Sequence, residues 1–242
     1  MGPPPLVKTC CIASVAEALM APQAGAAALG LVSTMPSGPG VVSDAVVAAV
    51  AAATRGQKLG TFLLTARTRA ESVTAQHKTA GTTTLQLVDH VSHADLRRLR
   101  QLCIGFELVQ VIHVTGETSV AEALVVAPWV DAVRLDSGIP ALAVKELGGT
   151  GCSHDWALSR RIRNAIHPLP LWLAGGLRAH NVAAAIAAVQ PHGLDLCTGV
   201  RSEGRLNAAK LGAFMAAVTA AAVAAAAAET TAETVVARPL PP

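Results

Sequence analysis

Tyrosine is absent from this 242-residue chain, and phenylalanine and tryptophan contribute only three residues each. Any hydrophobic core must therefore be built from alanine, valine, leucine and isoleucine, a composition that suits parallel strands covered by helices. Charged residues are also sparse, at 14%, and the formal net charge is only +3. Because the basic residues are scattered along the chain, the sequence gives little support to nucleic-acid binding.

The five cysteines lack the spacing of a metal site, and the adjacent pair Cys10-Cys11 is not a C-x-x-C redox motif. No secretory signal opens the chain, which predicts a cytoplasmic location. The alanine-rich stretch near the C-terminus is the one run that approaches the length of a membrane span. Alanine is too weakly hydrophobic to make that run a convincing span, so we expect no membrane partner.

Apolar runs alternate eight times with helix-like segments, which predicts a single (β/α)8 barrel. The predicted strands lie at 6–11, 28–32, 59–64, 83–87, 106–114, 132–135, 171–174 and 194–197, and the last predicted helix lies at 207–228. A doubly wound open sheet is the alternative, but it would usually carry a glycine fingerprint after the first strand. Here Cys11-Ile12-Ala13-Ser14 follows that strand instead.

The barrel is expected to occupy residues 6–218, which form the only predicted domain. A proline-rich, flexible leader at 1–5 precedes it, and an alanine- and proline-rich extension at 219–242 follows it. We expect part of that extension to be disordered.

Three glycine-bearing turns follow apolar runs in the second half of the chain. They are Gly148-Gly149-Thr150-Gly151, Gly175-Gly176 and Thr198-Gly199. Glycine lets backbone N–H groups approach a phosphate closely, and one such turn alone is a weak signal. Three turns in consecutive positions predict a phosphate site at the carboxyl end of the barrel strands, where active sites of this fold lie.

Two reactive side chains are predicted at the same end of the barrel. Cys10 lies at the end of the first strand and Asp136 at the end of the sixth. Lys8 shares the face of Cys10, and its charge would favour the thiolate. Taken singly, the thiol is more often a small buried hydrophobe and the carboxyl a loop cap. Together with the phosphate turns, the pair favours proton transfer in a sugar-phosphate isomerase.

Several segments together resemble phosphoribosylanthranilate isomerase, the (β/α)8 enzyme of tryptophan biosynthesis. They are Lys8-Thr9-Cys10, the run from Ala132 to Ser137, Gly148 to Trp156, Leu173 to Leu177 with Asn181-Val182, and Asp195 to Val200. The resemblance implies an Amadori rearrangement of an N-(5-phosphoribosyl) amine, with Cys10 as general base at sugar C2 and Asp136 as general acid at the ring oxygen. It implies a phosphorylated sugar-amine as the partner molecule, and no cofactor or metal. A monomer or a homodimer is expected.

Four positions depart from the family pattern. Gly40 stands where the family has an arginine for the anthranilate carboxylate, and Val88 replaces a histidine. Cys11 replaces a glycine, and Arg201 replaces an acidic residue. The substrate is expected to be lined by Lys8, Gln86, Arg134, His154, Asp195 and Arg201.

Arg134 and Arg201 are the two candidates to compensate for the lost arginine, although each has an ordinary structural alternative. The departures therefore predict weak activity on phosphoribosylanthranilate or a different amine. The alternatives are a divergent family member in specialised metabolism and a non-catalytic barrel that binds a sugar phosphate.

Overall fold

A computed structural model describes residues 3–102, 104–138 and 154–236. Eight parallel strands close a barrel in sequence order, and the eighth strand pairs with the first. The (β/α)8 class predicted from the sequence is confirmed. The strands are β1 Leu6–Thr9, β2 Ala28–Val32, β3 Gly60–Thr65, β4 Thr84–Leu87, β5 Glu107–His113, β6 Ala132–Asp136, β7 Leu171–Leu173 and β8 Gly193–Leu196.

Eight helices surround the strands. They are α1 Val15–Gln23, α2 Asp44–Ala53, α3 Ala70–Ala80, α4 His93–Leu102, α5 Thr118–Val126, α6 Trp156–Ala165, α7 Val182–Val189 and α8 Ala208–Val236. Side chains just before some of them accept hydrogen bonds from the first turn: Ser14 from Glu17, Ser43 from Val46, and Asp155 from two residues of α6. Such caps satisfy backbone donors that the helix itself leaves unpaired.

Two separate hydrophobic regions follow from the alternation of side chains along each strand. The larger one fills the space between strands and helices and contains aliphatic residues such as Leu29, Leu63 and Leu135. The smaller one fills the barrel interior and contains Phe62 and Trp172, whose rings meet edge to face at 5.6 Å. Two of the six aromatic residues thus fill the barrel interior, where their large rings close its floor.

The sequence pattern predicts a helix near residues 67–77, and the structure begins α3 three residues later, at Ala70. Its first residue, Ala70, donates its N–H to the Asp95 carboxylate at 3.0 Å, while Arg69 supplies no side-chain cap. The capping group therefore comes from α4, a neighbour in space, and the local sequence carries no sign of it.

The C-terminal part also differs from the predicted pattern. A short antiparallel hairpin, β9 Arg201–Ser202 and β10 Arg205–Leu206, follows β8. α8 runs to Val236, so the predicted domain boundary at 218 lies within a helix. Residues 208–225 are long and apolar enough to span a membrane, and Leu211, Phe214 and Val218 of this segment are buried against the barrel. This burial assigns the first turns of α8 to the barrel wall.

Candidate active site

Four buried polar side chains form a network inside the barrel. Lys8 donates to Gln86 Oε1 at 2.6 Å and to Asp195 Oδ2 at 2.8 Å, and its ammonium lies 4.7 Å from the Phe62 ring centre. Arg134 donates through Nε to the same Asp195 oxygen. Burial opposes ionisation of Asp195, but Lys8 and Arg134 outweigh it and lower its pKa. The network holds two cations around one interior carboxylate.

Arg134 connects this network to Asp136 at the end of β6. Its Nη1 donates to Asp136 Oδ2 at 2.8 Å, and the other carboxylate oxygen accepts the Ser137 N–H at 2.8 Å. Burial opposes the charge of Arg134, but Asp136 and Asp195 raise its pKa, so it stays a guanidinium. Its third nitrogen, Nη2, donates to no acceptor in the described part of the chain. The N–H groups of Nη2 are therefore not taken up by any described residue and can serve a ligand.

Cys10 follows β1 directly and is buried, with 4% of its surface exposed. Its backbone N–H donates to Leu196 O at 2.6 Å, which fixes it beside β8. The neighbouring strand carries Gly30, where an added Cβ would stand 2.8 Å from the Cys10 sulfur. The adjacent Cys11 thiol is the main cause that lowers the pKa of Cys10; Lys8 and Arg134 act in the same direction, against burial and Asp195. The surroundings thus favour the thiolate, and Lys8 contributes less to this than Cys11 does.

Cys11 and Gly40, two of the departures from the family pattern, lie in direct contact. Cys11 has a left-handed backbone, with φ 63°, where the family pattern has glycine. Gly40 also has positive φ, 76°, and a Cβ built on it would overlap the Cys11 Cβ and stand 3.0 Å from its sulfur. An arginine at position 40 cannot fit beside this cysteine without moving the loop. The two replacements therefore depend on each other.

Two adjoining cavities open at the carboxyl ends of the strands. The first, about 340 Å³, is lined by the turns at 174–177 and 196–199 together with Arg134, Asp136 and Asp195. The second, about 440 Å³, is mainly apolar and is lined by Cys10, Cys11, Cys197, Arg134 and Asp136 and by Val32, Met35, Ser37, Gly38, Pro39, Leu64 and Val88. Arg134, Asp136 and Cys197 line both. A ligand can therefore extend across both cavities with Asp136 at their junction.

The two described glycine turns meet at the first cavity. The backbone N–H groups of Gly175, Gly176, Thr198 and Gly199 donate to no acceptor within the described residues. The Asn181 amide donates to Gly176 O at 3.0 Å, and its oxygen accepts the Arg178 N–H at 2.8 Å, so the first turn is held in place. Four free donors around one cavity suit an anionic group such as phosphate.

The remaining predicted residues fall into three groups. Gly148, Gly149, Thr150 and Gly151 lie outside the described residues. His154 is half-buried, neither ring nitrogen has a partner among the described residues, and burial lowers its pKa. Arg201 lines neither described cavity: it donates to the carbonyl oxygens of Cys10 and Cys11 and to Glu17 Oε2 at 3.3 Å. Its contacts brace the β1 loop against the hairpin.

Glu17 is a structural residue that the sequence pattern did not single out. Its carboxylate accepts N–H groups from Ala13 and Leu206 and the guanidinium of Arg201. It thus joins α1, the loop after β1 and the hairpin after β8. Among the described residues, no group of His, Cys, Asp and Glu side chains is arranged to hold a metal ion.

A family model described as N-(5'-phosphoribosyl)anthranilate (PRA) isomerase matches residues 7–217, from β1 well into α8. The chain belongs to this isomerase family. The resemblance predicted from the motifs is confirmed, and members of the PRA isomerase family are enzymes that catalyse an aldose–ketose type isomerisation.

PRA isomerases from two cyanobacteria align with most of the chain. The one from Thermosynechococcus vestitus is 33% identical over 197 residues, 81% of each chain. The one from Synechococcus elongatus is 32% identical over 219 residues, 88% of this chain and 95% of its own. A PRA isomerase from Methanosarcina acetivorans is 47% identical over 89 residues, and the aligned part spans 35% of its length.

Solved PRA isomerase structures share the barrel. TrpF from Jonesia denitrificans is 26% identical with a TM-score of 0.71, covering 90% of this chain and 98% of its own. The enzyme from Thermotoga maritima reaches a TM-score of 0.75 at 21% identity, covering 89% of this chain and 99% of its own. At that identity the likeness concerns the fold alone.

Proposed function

We propose that this chain isomerises N-(5'-phosphoribosyl)anthranilate to 1-(o-carboxyphenylamino)-1-deoxyribulose 5-phosphate. The observation that carries the proposal is the placement of Cys10 and Asp136 on the wall of one cavity, with Asp136 also lining the adjoining cavity of the glycine turns. One PRA isomerase structure in the family was determined in complex with the reduced form of that product.

Each of the two cavities suits one end of the substrate. The free N–H groups of the turns at Gly175-Gly176 and Thr198-Gly199 suit the 5'-phosphate. The apolar cavity, walled by residues such as Leu64 and Val88, suits the aromatic ring of the amine. The ribose then lies at the junction of the cavities, beside Asp136.

The reaction needs two proton transfers, and Asp136 and Cys10 each carry out one of them. Asp136, as general acid, protonates the ring oxygen while the bond from that oxygen to C1 breaks, and an iminium forms between C1 and the amine nitrogen. Cys10, as thiolate base, then removes the proton from C2, and the electron pair moves to give the enol-amine. The enol-amine tautomerises to the ketone. The ring oxygen and C2 are both bonded to C1, so one compact site serves both steps.

Arg134 supplies the partner for the anthranilate carboxylate in this scheme. It is the one cationic side chain that lines the apolar cavity in the described part of the chain, and its Nη2 has no protein acceptor there. Its Nε and Nη1 donate to Asp195 and Asp136. The guanidinium is thus shared with two protein carboxylates, so we expect weaker binding of the anthranilate carboxylate than a dedicated arginine would give, by about 1.5–3 kcal/mol or about ten- to a hundred-fold.

The partner molecule in this proposal is the phosphorylated sugar-amine. A PRA isomerase from Thermotoga maritima is a dimer from which monomers have been generated. For this chain, a monomer or homodimer and a cytoplasmic location remain predictions.

Steady-state turnover of two substrates by the purified chain tests the proposal. One is N-(5'-phosphoribosyl)anthranilate and the other is the matching phosphoribosyl aniline, which lacks only the carboxylate. We expect turnover of both, a lower KM for the anthranilate compound, and loss of that preference in Arg134→Met. Folding of the variant is checked by circular dichroism, and Glu117→Gln, in an exposed ion pair with Arg161, serves as the charge-change control.

Absence of turnover with either compound would reject the isomerase proposal and favour the non-catalytic sugar-phosphate barrel. Turnover of the aniline compound alone would favour the divergent member that uses another amine. An unchanged preference in a folded Arg134→Met variant would remove Arg134 from carboxylate recognition.

A further inference from the structure

Two thiols from different strands meet beside Cys10. Cys11 lies in the loop after β1 and Cys197 in the loop after β8, and their sulfur atoms are 2.6 Å apart. Cys11 is 4% exposed and Cys197 is half-buried, and both line the apolar cavity. Neither thiol transfers a proton in the proposed isomerisation. Their contact therefore needs a separate explanation.

The surrounding backbone holds the two sulfurs together. β1 and β8 are paired in parallel, and the Cys10 N–H donates to Leu196 O at 2.6 Å, so the residues after each strand end lie side by side. The Cys11 sulfur also lies 3.5 Å from Pro39 O, and Gly40 packs closely behind it. A disulfide requires a sulfur separation of about 2.05 Å. A shift of a fraction of an ångström would bring the pair to bonding distance.

We propose that Cys11 and Cys197 form a reversible disulfide, with a peroxide as oxidant. Cys197, the more exposed thiol, attacks the O–O bond as its thiolate, becomes a sulfenic acid and releases hydroxide or alkoxide. The Cys11 sulfur then attacks that sulfur, the S–S bond forms, and water leaves. Each thiol loses a proton and one electron, and the peroxide takes up both protons and both electrons. Hydrogen peroxide then yields two molecules of water, and an organic peroxide yields one water and one alcohol.

Oxidation of this pair has a consequence for Cys10, and this step rests on the proposed function. The adjacent Cys11 thiol lowers the pKa of Cys10, and in a disulfide Cys11 has no S–H with which to do so. The bond also fixes the β1 loop to the turn that begins at Thr198. We therefore expect oxidation to reduce isomerase turnover reversibly and to move the acid limb of its pH profile to higher pH.

Peptide mapping of the full chain after treatment with hydrogen peroxide tests the disulfide directly. The reduced protein is oxidised, free thiols are blocked, and the non-reduced peptides are sequenced by mass spectrometry. We expect a Cys11–Cys197 crosslink that dithiothreitol removes. It should form in Cys10→Ser, because Cys10 is not a partner, and in the control Cys103→Ser. It should be absent in Cys11→Ser and in Cys197→Ser.

The activity of each variant after oxidation is compared with the activity of the same variant in its reduced form. We expect hydrogen peroxide to lower turnover in the original chain and dithiothreitol to restore it, with a smaller reversible loss in Cys197→Ser. A crosslink that contains Cys10, or stable sulfenic acid on Cys197 without a crosslink, would overturn the proposal. If the crosslink forms in a chain that shows no isomerase turnover, the thiol pair stands and the proposed function fails.

Discussion

Replacement of Asp195 by asparagine is predicted to destabilise the fold strongly. The carboxylate is 3% exposed and accepts from both Lys8 and Arg134. In Asp195→Asn the side chain keeps its shape and loses its charge, which leaves two buried cations with Asp136 as the remaining carboxylate of the network. Removal of one partner from a buried ion pair costs about 3–5 kcal/mol. We expect a loss of this size in the free energy of unfolding measured with urea.

The pH dependence of the same variant follows from the pKa of Asp195. Lys8 and Arg134 lower that pKa despite burial, so the folded protein binds the proton less readily than the unfolded chain. The stabilisation from Asp195 is therefore complete above the unfolded value, about 3.9, and is lost as the pH falls through the lower folded value. The difference between the original chain and Asp195→Asn should be constant near neutrality and should shrink only in acid.

A double variant separates charge imbalance from mere loss of a hydrogen bond. Asp195→Asn combined with Lys8→Met removes one buried cation together with the buried anion. We expect this double variant to be clearly more stable than the sum of the two single effects predicts. The control Glu117→Gln, in an exposed ion pair, should leave the unfolding midpoint unchanged. Additivity of Asp195→Asn and Lys8→Met within about 0.5 kcal/mol would refute the reasoning.

Two further predictions concern glycines with no room for a side chain. In Gly199→Ala the new methyl group would overlap the Leu177 carbonyl, so we expect a higher KM and weaker inhibition by inorganic phosphate; Gly212→Ala, with nothing within 4 Å, is the control. An unchanged KM would remove this turn from phosphate binding. Gly40→Ala should lower the thermal midpoint more than Gly56→Ala, which has a similar positive φ (83° against 76°) but open surroundings, and Cys11→Gly should relieve part of the difference.

The sequence predicted the barrel because its signal repeats eight times and rests on local composition. The positions of Cys10 and Asp136 followed from the strand ends, since parallel strands bring their carboxyl ends to one face. The shared face of Lys8 and Cys10 followed from strand periodicity, and Lys8 lowers the pKa of the thiol in the direction that this position implies. These features depend on spacing along the chain, which the sequence shows directly.

The remaining features depend on partners far apart in the sequence. The beginning of α3 is set by Asp95 from the next helix, and the direction of Arg201 is set by Glu17, 184 positions away. The contact between Cys11 and Cys197 spans 186 positions. Periodicity carries no information on such pairs. Only the match between Cys11 and the missing side chain at Gly40 could have been suspected, since both depart from one family pattern.

The most direct test of the account is the turnover number of Cys10→Ser and of Asp136→Asn with N-(5'-phosphoribosyl)anthranilate. Each change removes one proton-transfer group and leaves the phosphate turns intact. General acid and base groups contribute about 10²–10⁴-fold, so we expect kcat to fall by that factor in each variant. Affinity for the reduced product analogue should stay close to that of the original chain. Near-normal kcat in either folded variant would contradict the assigned role of that residue and, with it, the proposed mechanism.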